Sequence, residues 1–137
     1  VNLEALRTSL INHEGWRNLP YEDSEGNLTI GVGHLMSNPL SKAAINQILD
    51  DDINSAIAHI ERYFKDWRNH SDNRQNVLVE MCFNMGARRL GGFKLMWAAL
   101  ERQDYAEAAK QMLDSQWALQ VKGRAVTLAR IMATGNG

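Results

Sequence analysis

An α+β fold is what this sequence predicts, on three observations. Leu28, Ile30 and Val32 alternate with Thr29, Gly31 and Gly33, the two-residue period of a half-buried strand. Ile45, Ile48, Leu49, Ile53, Ala56, Ile57, Ile60 and Phe64 recur at helical spacing. They predict one helix of about 23 residues, long for a small domain. Gly86, the Gly91-Gly92 pair and Gly123 then cut the remainder into shorter helical pieces. A small β-containing N-terminal lobe and a helical C-terminal lobe, joined by the long helix, follow from this order.

The elements can be justified in turn. Asn2 is placed to cap a helix over 2–13, with Leu3, Leu6, Leu10 and Ile11 as its apolar stripe and Gly15 as its C-terminal stop. Ser24-Glu25-Gly26-Asn27 reads as a turn between two short strands. Ser37-Asn38-Pro39 breaks the chain before Ser41, which caps the long helix. Further helices are expected near 72–85, 93–102, 104–115 and 122–133, with Asp104 and Glu107 as a capping box. The whole of 1–137 is expected to form one domain, with lobes near 13–60 and 61–137 and helix 2–12 packed on the C-terminal lobe.

Composition narrows the function. The 137 residues are 45% hydrophobic and 23% charged, with two prolines, as suits a folded protein rather than a disordered one. No apolar run reaches the roughly 20 residues of a membrane span, and the N-terminus lacks a secretory signal layout. The chain begins on Val1, which suggests a processed or excised piece. The net charge of −1 divides into −5 over residues 1–60 and +4 over 61–137, either a dipole suited to an anionic polymer or a chance split of solvated surface charge, with no nucleic-acid footprint. Cys82 is the sole cysteine, so no internal disulfide is possible, and its apolar neighbours point to a buried thiol. Trp67, Trp97 and Trp117 are read as core, and Asp50-Asp51-Asp52 as a solvated face without a calcium-loop pattern. The histidines lack metal-ligand spacing, so neither metal nor cofactor is expected.

The chemistry concentrates in residues 13–34, HEGWRNLPYEDSEGNLTIGVGH. Glu14 ends the first helix, where the helix dipole and burial against Trp16 would disfavour its charged form. Asp23 precedes the turn, and Thr29 lies on the alternating strand. A helix end packed on a hairpin can set two carboxylates across a groove, as glycosidases require: one protonates the leaving oxygen and the other serves the opposite sugar face. Gly31 and Gly33 would either admit a substrate close to the strand or let the strand pack tightly on the long helix.

The Glu14, Asp23, Thr29 spacing followed by IGVGH resembles the phage-type lysozymes, the muramidases typified by those of T-even phages. The likeness extends to LSKAAINQILDDDINSAIAHI, which is similar to that family's interlobe helix, and to FNMGARRLGGF and GRAV further on. The resemblance implies Glu14 as general acid, Asp23 as the group that orients or deprotonates water, and Thr29 as a holder of that water, with inversion at the anomeric carbon. It also implies Arg124 beside the catalytic Glu, a structural ion pair between His34 and Asp52, and substrate contacts from Gly33, Leu35, Asn84 and Phe93. The implied substrate is the β-1,4 bond between N-acetylmuramic acid and N-acetylglucosamine in bacterial peptidoglycan, cut by a monomer with no nucleic-acid partner and no membrane insertion. The implied setting is synthesis in the host bacterial cytoplasm and action on the wall, after release through a holin-type pore or as part of a virion. Only Leu35–Leu40 stands where relatives carry a longer segment before the interlobe helix, so part of the lower lobe is trimmed. The alternatives are a lytic transglycosylase, which needs a single acid, a non-catalytic wall-binding module, and a membrane-disrupting basic helix.

Overall fold

Asn2 accepts a hydrogen bond from the Ala5 amide at 3.1 Å and so starts helix α1 (Leu3–Glu14). Gly15 ends it with a φ of 81° while its amide donates to the Ile11 carbonyl. The computed structural model describes residues 1–137. The chain divides into two compact units, Val1–Ile45 and Asn46–Gly137.

In the first unit, β1 (Arg17–Glu22), β2 (Leu28–Gly31) and β3 (His34–Leu35) form an antiparallel sheet in that order. Tyr21 pairs with Thr29 and Ile30 with His34. The β1–β2 register slips between Arg17 and Tyr21, the segment that holds Pro20. Proline cannot donate to a ladder, so an irregular stretch of an edge strand is where it is tolerated. Gly31 and Gly33 have φ of 69° and 70° and flank Val32 in the turn from β2 to β3. The sequence assigned these glycines to substrate approach or to tight packing; the backbone uses them first for a left-handed turn. No residue of α1 is buried, and its Leu3, Leu6, Leu10 and Ile11 are all exposed.

Ser41 accepts from the Ala44 amide and opens α2 (Lys42–Tyr63), the long helix foreseen. Its stripe is buried only at Ala56 and Ile60, whereas Ile45, Ile48 and Leu49 are exposed. Trp67–Asn69 makes a 3₁₀ turn, followed by α3 (Asp72–Met85), α4 (Ala87–Gly91), α5 (Lys94–Glu101), α6 (Tyr105–Leu113), α7 (Gln116–Val121) and α8 (Gly123–Thr134). Two of these, α4 and α7, were not foreseen. They have five and six residues, too few to show a helical period. Asp104 caps α6 by accepting from the Glu107 amide, but the box is not reciprocal, because the Glu107 carboxylate accepts from Gln111 instead.

The core of the second unit gathers Ile60, Leu78, Leu90 and Leu100 with five of the six methionines, Met81, Met85, Met96, Met112 and Met132. Each large side chain buried there contributes roughly 1.5–3 kcal/mol. Trp67 and Trp117 are buried, and Trp97 stacks on Phe64 with ring centroids 4.1 Å apart, so these tryptophans fill core space as expected. Cys82 is buried, its thiol faces the Ala56 carbonyl, and burial raises its pKa, which leaves it a poor nucleophile.

Candidate active site

The first unit carries Glu14, Asp23, Thr29, Gly33, His34 and Leu35. Glu14 is the last residue of α1, and its side chain reaches the β2–β3 turn. A Cβ placed on Gly33 would lie 3.0 Å from Glu14 Oε2 and 3.2 Å from its carboxyl carbon. Glycine at 33 therefore leaves room for the carboxyl group as well as supplying the turn. Glu14 is exposed, and so is Trp16, at 68% of its full surface. The apolar shielding expected from Trp16 is absent, because the helix stops at Gly15 and Trp16 leads outward into β1.

Asp23 and Thr29 meet through the backbone of Asn27. Asp23 Oδ1 accepts from the Asn27 amide at 2.8 Å and from the Glu25 amide at 2.9 Å. The Asn27 carbonyl in turn accepts from the Asp23 amide and, at 2.9 Å, from Thr29 Oγ1. The Asn27 amide, and after it that of Glu25, holds the Asp23 carboxyl below the usual carboxylate range, with partial desolvation opposing them. Asp23 thus stays ionised, with Oδ2 outside these turn bonds. Thr29 is buried at 2% exposure in central strand β2. Its hydroxyl proton is committed to Asn27, so toward any further partner Oγ1 acts as an acceptor. Asn27 was read only as a turn residue; its spacing of four from Asp23 and two from Thr29 was the available signal.

His34 and Leu35 form β3 and are partly buried. His34 Nε2 is buried without a hydrogen-bond partner, and Asp52, its expected ion-pair partner, is an exposed residue of α2 in the second unit.

The second unit also holds Asn84, Phe93 and Arg124. Arg124 Nε donates to Glu80 Oε1 at 3.1 Å, an ion pair between α8 and α3 that sequence reasoning missed. Asn84 Oδ1 accepts from the Trp117 indole N–H at 2.8 Å, so half of its amide is used to satisfy a buried tryptophan. Phe93 packs edge-on against Trp117 and lines a hollow of about 370 Å³ with Gln111 and Ser115. No cluster of His, Cys, Asp or Glu is arranged to hold a metal ion.

An α+β chain with one carboxyl group at a helix end and a second beside a buried hydroxyl on the adjoining hairpin has the equipment of a glycoside hydrolase. The phage lysozyme family matches residues 11–130, and the chain belongs to that family. It is accordingly a lysozyme-type glycoside hydrolase, of the muramidase-like class that degrades peptidoglycan. It is 32% identical to the pre-baseplate central spike protein of Enterobacteria phage T4 over 96% of this chain, but spans only 28% of that protein. Two probable T4-type lysozymes of Dictyostelium discoideum are 28% and 25% identical, each over 97% of this chain and 96% of its own length. These alignments run over 161 to 163 positions against 137 residues here, so the relatives carry segments that this chain lacks. No helix is long and apolar enough to cross a membrane.

Proposed function

We propose that the protein hydrolyses the β-1,4 bond between N-acetylmuramic acid and N-acetylglucosamine, with inversion at the anomeric carbon. Glu14 gives its proton to the glycosidic oxygen as the bond from that oxygen to the anomeric carbon breaks. Water attacks the same carbon from the opposite face and passes a proton to Asp23; exchange with solvent then restores both carboxyl groups.

The bonding of Thr29 is the single observation that carries this reading. A water that donates one proton to Asp23 Oδ2 and the other to Thr29 Oγ1 keeps its lone pairs for the sugar carbon. Oγ1 is fitted for that, because its own proton already goes to Asn27. Substrate contacts from Gly33, Leu35, Asn84, Phe93 and Arg124 belong to the same reading. So does a phage setting, which the likeness to a phage spike protein supports.

Mass spectrometry of digested peptidoglycan tests the reaction. New reducing ends that have gained a water are expected, whereas anhydro ends would replace hydrolysis with transglycosylation. Turbidity of permeabilised Gram-negative cells tests the acid: wild type should clear them and Glu14→Gln should not. Equal clearing by both would remove Glu14 from the reaction.

A further inference from the structure

Outside the groups assigned above, the second unit presents a cationic hollow of about 490 Å³ at the end of α2, lined by Arg62, Tyr63 and Phe64 and by Arg88 of α4. We propose that it is a docking site for a phosphate-bearing glycan, separate from the bond-cleaving groups.

Charge complementarity is the first argument. Neither Arg62 nor Arg88 has an ion-pair partner, and no carboxylate lines the hollow. The nearest acid in sequence, Glu61, is taken by Arg68 at 2.6 Å. Two free guanidinium forks on one concave surface suit paired oxygens of a phosphate ester. His59 adds an imidazole, whose nitrogens can donate or accept, to the same lining.

Shape and surface are the second. Tyr63 is 60% exposed, and the Arg62 guanidinium lies 5.4 Å from its ring centroid. An aromatic face beside a cation offers the CH face of a sugar a place next to its phosphate. The floor is rigid: Phe64 stacks on Trp97 almost in parallel, and the Trp97 indole donates to the Leu90 carbonyl. With Phe64 so occupied, Tyr63 is the one carbocyclic ring left to meet a ligand, and Arg62 already lies over it, which suits a single saccharide better than a run of stacked bases. Arg62 also lies in the last turn of α2, where a cation complements the helix dipole. That role needs no second arginine and no concavity.

The test is binding of fluorescently labelled poly(glycerol phosphate) carrying glucosyl substituents by anisotropy at low salt, with polygalacturonate, single-stranded DNA and dextran in parallel. Saturable binding to the phosphate polymer, weakening as salt rises, is expected. The Arg62→Gln/Arg88→Gln double variant and Tyr63→Ala should each weaken it about tenfold or more. Cleavage of small soluble peptidoglycan fragments should be unchanged, which also shows that the variants fold and that docking is independent of the chemistry. Undiminished binding by the double variant would overturn the proposal, as would equal affinity for the carboxylate polymer or for DNA.

Discussion

The carboxyl group of Glu14 rests against Gly33, with Oε2 3.0 Å from the point where any other residue would place its Cβ. The end of α1 and the β2–β3 turn are thereby matched at one atom. Gly31, two residues earlier with nearly the same φ, would meet nothing within 4 Å if given a Cβ.

That contrast makes a controlled experiment. Gly33→Ala and Gly31→Ala each force an alanine into left-handed backbone, at a cost of roughly 1–2 kcal/mol. Only the first crowds Glu14. Both should lower Tm, but Gly33→Ala alone should reduce kcat, by about 10- to 100-fold, as expected for a displaced catalytic group. Equal kcat losses in the two variants would show that the contact with Glu14 is irrelevant to turnover.

Asp23 sets a pH dependence. Its folded value is lowered by the Asn27 and Glu25 amides, so the carboxylate persists where a free Asp, at about 3.9, would be half protonated. The stabilisation it supplies is complete above that unfolded value and is lost as pH falls through the lowered folded one. The acid limb of kcat/KM should therefore lie below about 3.9 if Asp23 must be charged. A limb well above that value would point to another group as the base.

Thr29 separates turn-making from water-holding. Thr29→Val preserves the shape but leaves Asn27 with one hydrogen bond fewer, a loss of about 1 kcal/mol. Activity should fall at least tenfold in Thr29→Val and largely return in Thr29→Ser, whose hydroxyl can repeat both contacts. Wild-type kcat in the valine variant would leave Thr29 a purely structural residue.

His70 predicts weaker stability in mild acid. It is buried at 8% exposure, and its Nδ1 pairs with the Tyr105 hydroxyl at 2.9 Å. Burial first, and then the Arg74 cation, lower its pKa below 6.5. The folded state therefore favours neutral imidazole. Stability is full above about 6.5 and declines as pH falls toward the lowered value, then levels off. Tm should drop between pH 7.5 and 5, and His70→Gln should shrink that drop. An identical drop in the variant would assign the acid sensitivity elsewhere.

Much of the architecture was legible because it rests on local signals. Asn2, Ser41 and Asp104 cap the helices they were expected to cap, and α3 spans the residues foreseen. The two-residue strand β3 and the short helices α4 and α7 left no periodic trace. Apolar spacing also failed to tell which part of a stripe is covered: Ile60 is wholly buried while Ile48, on the same helix, is half exposed. At the site, residue types and spacing picked out Glu14, Asp23 and Thr29, but not what each one touches. The Arg124–Glu80 pair and the use of Asn84 by Trp117 join positions more than thirty apart, which spacing alone cannot reveal.

The hairpin turn carries an implication for how such chains diverge. Asn27 grips the carboxylate with its amide and the hydroxyl with its carbonyl, so neither can be re-aimed without the other. Its side chain adds a smaller pull on the same carboxylate, so other residues there would loosen the hold, and proline, lacking the amide hydrogen, would lose its main bond. Lengthening or shortening residues 24–26 would disturb both holds at once. Among active descendants, residues 24–26 should vary in spelling far more readily than in length.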